Sequence, residues 1–186
     1  MKKKRVLVLS VMIMASLTGC IPRLAPEQIE YMLKRTAVLE TYSYTYRDMV
    51  YITDPNLLAR IFNTDTPLLF SINYKVKAGI DMQDIRAERT GINLLAIKLI
   101  IPSARITTLD AEETSIDQYF GRRNAYNLNE IIEKIGSNKA KIEQAAISDG
   151  ILKKAENNAI EILSDWLRKQ GYRDIIVIIQ GQGIKG

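Results

Sequence analysis

The spacing of apolar positions changes several times along the chain, and each change predicts an element. An apolar run from Val6 to Leu17 follows Lys2, Lys3, Lys4 and Arg5. Pro22 and Pro26 punctuate a short connecting stretch. Glu27 to Lys34 then reads as a short helix, with Pro26 suited to its first turn. From Val38 to Ile52 the period becomes two. Tyr42, Tyr44 and Tyr46 alternate with Thr41, Ser43 and Thr45, residue types that suit a half-buried strand. Asp54-Pro55 and Asp65-Thr66-Pro67 break the next stretch into loop, with a helical turn through Leu57 to Phe62. Leu68 to Ile80 alternates again, placing Phe70, Ile72, Tyr74, Val76 and Ala78 on one face with Gly79 at the end. Ile85 to Arg89 and Leu94 to Ile101 predict a hairpin about Thr90-Gly91-Ile92-Asn93. Pro102 marks the stretch through Ile106 as an edge or bulged continuation.

Polarity rises from Thr107 to Asn127, which reads as exposed loop. Helical spacing follows: Leu128 to Ile135 predicts a short amphipathic helix ending near Gly136, and Asn138 to Gln170 one long helix. Ile142, Ala145, Ala146, Ile151, Leu152, Ala155, Ala159, Ile162, Leu163 and Trp166 share its apolar stripe. Gly150 is a kink or a tolerated weak point, and Gly171 a stop. The continuous apolar run Ile175 to Ile179 suits the middle of a sheet. The expected class is α+β: an antiparallel or mixed sheet packed by one long C-terminal helix, with a final short strand. Residues 36–180 form a single domain in this reading, and 181–186 a flexible tail.

The first apolar run is about twelve residues, well short of the roughly twenty that cross a bilayer. Behind a basic start it describes an export signal. Leu17-Thr18-Gly19-Cys20 resembles the lipobox read by lipoprotein signal peptidase. By that resemblance residues 1–19 are a cleaved signal peptide and Cys20 becomes a lipid-bearing N-terminus, with residues 20–35 as tether. A single acyl chain holds only reversibly, at about 0.8 kcal/mol per buried methylene, so a firm anchor takes two or three. A secreted protein with a chance cysteine is the alternative; it is disfavoured because Cys20 is the only cysteine in the chain. The expected address is the bacterial cell envelope, membrane-anchored on the non-cytoplasmic side.

The signal also changes the charge. The chain has 26 Lys and Arg against 21 Asp and Glu, but four of the cations precede Cys20, leaving 22 against 21. The basicity that would otherwise suggest nucleic acid belongs to the discarded segment, so no nucleic-acid partner is expected. About 166 residues follow Cys20, enough for a core held by packing alone.

There is no histidine. Ser-His-Asp and Cys-His catalysis and imidazole zinc sites are therefore excluded. The only thiol is taken by lipid. Gly181-Gln182-Gly183 follows a strand but opens no helix, so no phosphate loop is formed. No cofactor or metal is expected. Asp110, Glu112, Glu113 and Asp117 are the densest carboxylates; their spacing departs from a calcium loop, and a solvated acidic loop is the preferred reading. Tyr119, Arg122, Arg123 and Tyr126 set two guanidinium groups among aromatics, a candidate site for an anion, a lipid headgroup, a glycan or a partner, weighed against a plain exposed loop. The three tyrosines of the first strand pose the same choice, and a packing face is preferred over a binding stripe.

Three stretches carry a family likeness: Lys77-Ala78-Gly79-Ile80-Asp81, Ile101-Pro102-Ser103-Ala104-Arg105-Ile106, and Gly150 to Ala159. They resemble domain-of-unknown-function family 4230 along Thr36 to Ile179. The resemblance implies a bacterial protein with an N-terminal membrane or lipid anchor, and carries over no catalytic residue. On physical grounds Gly79 permits a bend or positive φ, Asp81 caps the following turn, and Pro102 protects a sheet edge. The expectation is a non-enzymatic envelope lipoprotein that binds or organises a partner, such as another envelope protein, at a membrane surface. The alternative is a carboxylate-based hydrolase of envelope glycans or lipids, which needs two facing acids roughly 5 to 9.5 Å apart.

Overall fold

The computed structural model describes residues 24–53, 67–91, 94–121 and 127–180. In chain order the elements are α1 (Pro26–Lys34), β1 (Val38–Ile52), β2 (Leu68–Asp81), β3 (Arg86–Arg89), β4 (Ala96–Ile101), β5 (Arg105–Phe120), α2 (Leu128–Ser148), α3 (Ile151–Lys169) and β6 (Asp174–Ile179). The class is α+β, with a long C-terminal helix on the sheet and a final short strand, as the succession of periods predicts. The strands divide into two three-stranded sheets. One, β1-β2-β5, is antiparallel throughout; in the other, β3-β4-β6, β4 pairs antiparallel with β3 and parallel with β6.

β2 is the spine of the core. Phe70, Ile72, Tyr74, Val76, Ala78 and Ile80 alternate onto one face and are all buried. Each large apolar side chain there contributes about 1.5–3 kcal/mol. Ile131, Ile135, Ile142 and Ala146 of α2 and Ile151, Ala155, Ala159, Leu163 and Leu167 of α3 cover that face. Tyr74 donates its hydroxyl to the Ile135 carbonyl at 3.1 Å, so the one polar atom of the largest buried side chain is satisfied. At the other end α1 packs on β3 and on the 3-10 turn Met82–Asp84, which Asp81 caps as expected: Asp81 Oδ1 accepts from Gln83 N at 3.0 Å.

Several boundaries differ from the sequence reading. α2 runs straight through Gly136, and the stretch read as one helix from Asn138 to Gln170 is divided at Asp149-Gly150, where Gly150 takes φ +77°. The apolar stripe survives the break because both helices lie on β1 and β2. The polar stretch after Thr107 is strand, not loop: β5 pairs with β2 from Gly79↔Arg105 to Leu69↔Phe120, with three register shifts. It is polar because it is an edge strand with one solvated face; Leu109, Ala111 and Ile116 are its half-buried contribution to the core. β6 lies at an edge rather than the middle of its sheet, and α3 covers one side of it. Pro102 guards no edge, since β4 is central; Pro102 to Ala104 carries the chain from one sheet to the other. Gly79 takes no positive φ. It permits close approach, for a Cβ there would sit 2.3 Å from the Leu39 carbonyl oxygen.

Candidate functional site

The tyrosines of β1 line a groove. Thr41 is the extra residue of a β-bulge between Glu40 and Tyr42. Its Oγ1 donates to the Ala155 carbonyl at 2.7 Å, and its own carbonyl accepts from Asn158 Nδ2 at 2.9 Å. These two bonds dock the first turns of α3 against β1. They set Lys154 over Tyr42, with Nζ 5.5 Å from the ring centroid. Four residues along the strand, the Asp149-Gly150 corner meets Tyr46, whose hydroxyl donates to Asp149 Oδ2 at 3.0 Å. Tyr44 lies between, edge-on to Tyr46 at 5.0 Å and 65°, and is 52% exposed. The result is a groove of about 270 Å³ lined by Tyr42, Tyr44, Tyr46, Asp149, Ile151 and Lys154. The packing reading of the stripe is half right: Tyr42 and Tyr46 touch the core with part of each ring, while Tyr44 does not.

Electrostatically the groove holds one cation and one anion. Neither Lys154 nor Asp149 has a salt-bridge partner among the described residues. Burial and, next, the hydrogen bond to Asp149 push the Tyr46 hydroxyl up to about 12, so at neutral pH it is a donor.

The residues singled out from the sequence fall elsewhere. Cys20, Arg122, Arg123 and Tyr126 lie outside the described residues. Tyr119 is at the outer end of β5, on the sheet face away from the helices, and its hydroxyl is 3.3 Å from Arg47 Nη2 and 3.4 Å from Ser71 Oγ. Arg47 also pairs with Asp117 at 2.6 Å and donates to buried Ser71. This cluster joins one residue from each of the two sequence candidates, and its guanidinium is already used. Asp110, Glu112, Glu113 and Asp117 string out along β5, and no group of three or more acidic side chains among the described residues is arranged to hold a metal. Lys154 and Asp149 were missed because Asp149-Gly150, a turn signal in its own right, sat inside a continuous apolar stripe.

A second, more polar cleft of about 550 Å³ lies between α1 and β3, lined by Glu30, Lys34, Gln83, Asp84, Arg86 and Glu88 among others. The hydrogen bond from Lys34, 2.8 Å, holds the Glu30 carboxyl below its usual range against the opposing effect of burial, helped by the Ala87 N–H. Among the described residues no helix is long and apolar enough to cross a membrane.

A family model described as a protein of unknown function, DUF4230, matches residues 32–177. No curated protein and no solved structure matches the chain.

Proposed function

The chain belongs to DUF4230, a family of proteins of unknown function, and from that premise we propose that it is a non-enzymatic binding module held to a bacterial envelope membrane by lipid on Cys20. The observation that carries the binding role is the tyrosine row, which lines an open groove instead of disappearing into the core. Accessible aromatic rings flanked by hydrogen-bonding groups are the usual material of recognition surfaces. The groove offers one carboxylate, Asp149, already engaged by Tyr46, where hydrolysis asks for a facing pair. In the polar cleft, Glu30 is held in its charged form and is a poor general acid at neutral pH. Both points favour binding over the hydrolase.

The location rests on Leu17 to Cys20. From Cys20 to Leu24 the chain can reach at most about 14 Å when extended, and the Leu24 carbonyl accepts from the Tyr172 hydroxyl at 2.7 Å. On this reading the body sits close to the lipid. Cys20→Ala is expected to abolish incorporation of labelled fatty acid and to leave a larger, unprocessed precursor; a labelled variant overturns the anchor. For the binding role, a photo-crosslinking residue in place of Tyr44, in native envelopes, is expected to trap a discrete species that the same group at exposed Thr45, on the opposite face, does not. Equal yields from the two positions overturn it.

A further inference from the structure

We propose that the groove accepts a neutral pyranose unit of an envelope glycan, an inference that rests on the binding role above. Alternate residues of a strand repeat every 6.7 Å or so, roughly twice the rise per residue. Tyr42, Tyr44 and Tyr46 are therefore a row along β1 and not a cage around a point. Tyr44 supplies the most open ring, and the volume of about 270 Å³ suits one ring of a longer chain lying along the strand.

Charge narrows the ligand further. Lys154 already stands over the face of Tyr42, so an ammonium ligand meets repulsion at the ring it would seek. At the other end the Asp149 carboxylate repels a phosphate or carboxylate. An uncharged molecule with a C–H face to lie on tyrosine and a rim of hydroxyls meets neither repulsion. Those hydroxyls can accept from Lys154 Nζ and donate to Asp149 Oδ1, the oxygen that Tyr46 leaves free. Because Tyr46 donates to Oδ2, the carboxylate is held in place before any ligand arrives. A pyranose combines the apolar face and the polar rim, and its stacking is carried by many small dispersion contacts.

The test is saturation-transfer NMR on the full-length lipoprotein in detergent micelles, with fully N-acetylated chitotetraose, a neutral amino-sugar chain, as probe. Saturation of its ring C–H signals is expected. Tyr44→Ala should weaken binding about tenfold, the loss of one stacked ring. Lys154→Ala, at an exposed helix position that leaves the sheet untouched, should weaken it less. Tyr51→Ala, an aromatic outside the groove, should change nothing. Absence of saturation overturns the proposal, as does saturation unaltered in both groove variants, or displacement of the sugar by tetramethylammonium or inorganic phosphate. If the crosslink from position 44 persists while chitotetraose gives no signal, the glycan assignment falls and the binding role stands. If neither appears, both fall.

Discussion

Gly79 and Gly136 carry opposite predictions because of what surrounds their Cα atoms. A Cβ on Gly79 would lie 2.3 Å from the Leu39 carbonyl oxygen and 2.8 Å from Glu40 Cα, both backbone atoms of a paired strand. Neither can yield cheaply, so Gly79→Ala is expected to lower stability by about 1–3 kcal/mol. Gly136 sits inside α2 with nothing within 4 Å of where a Cβ would be. Gly136→Ala should raise stability by about 0.5–1 kcal/mol through helix propensity. Urea unfolding midpoints of the two variants check both signs. Tyr46 gives a pH prediction at the same scale. Its folded value of about 12 lies above its ordinary 10.0, so its contribution is complete below pH 10 and is lost as pH rises from 10 towards 12. Phenolate absorbance should contain a component near 12 that Tyr46→Phe removes, and the alkaline fall in stability across that window should become shallower. An unchanged titration in Tyr46→Phe would assign the component to another tyrosine.

At the scale of elements, α2 and α3 begin in different ways. Asn127 Oδ1 accepts from Asn129 N at 3.1 Å, and Glu130 Oε2 accepts from Asn127 N at 3.4 Å, a capping box that starts α2. Asn127→Ala should therefore cost about 1 kcal/mol in thermal unfolding. α3 starts at Gly150 with no side-chain cap, because the left-handed residue itself turns the chain. β1 and β2 were legible from alternation, since one buried face imposes a period of two, and the β3–β4 hairpin from the turn residues between its arms. β5 was not. An edge strand with a solvated face can be rich in Asp, Glu, Thr and Gln, and such composition reads as loop. The groove was half legible: Tyr42, Tyr44 and Tyr46 stood out as a stripe, but Asp149 lies 103 residues from Tyr46 in sequence.

Across the whole molecule, one buried acid ties a helix to the passage between the sheets. Glu156 is 6% exposed; its Oε1 accepts from Ala104 N at 3.4 Å, and Lys153 Nζ is 3.5 Å from Oε2. Glu156→Ala leaves the Ala104 N–H without that acceptor and should cost about 1–3 kcal/mol, whereas Glu156→Gln keeps the acceptor and should cost less. Equal losses in chemical unfolding would mean that the bond to Ala104 contributes nothing. The link from Pro102 to Ala104 was visible as a break, yet its destination in a second sheet was not. Period, turn chemistry and helix stops are local, so the sequence by itself determined the element types other than β5, the α+β class and the buried face of β2. It also determined the chemistry ruled out by the absence of histidine. Which strands became edges, how one apolar stripe divided into two helices, and which charged groups came to flank the tyrosines were decided only in the tertiary structure. Those outcomes depend on contacts between residues far apart in the chain, and no local pattern encodes them.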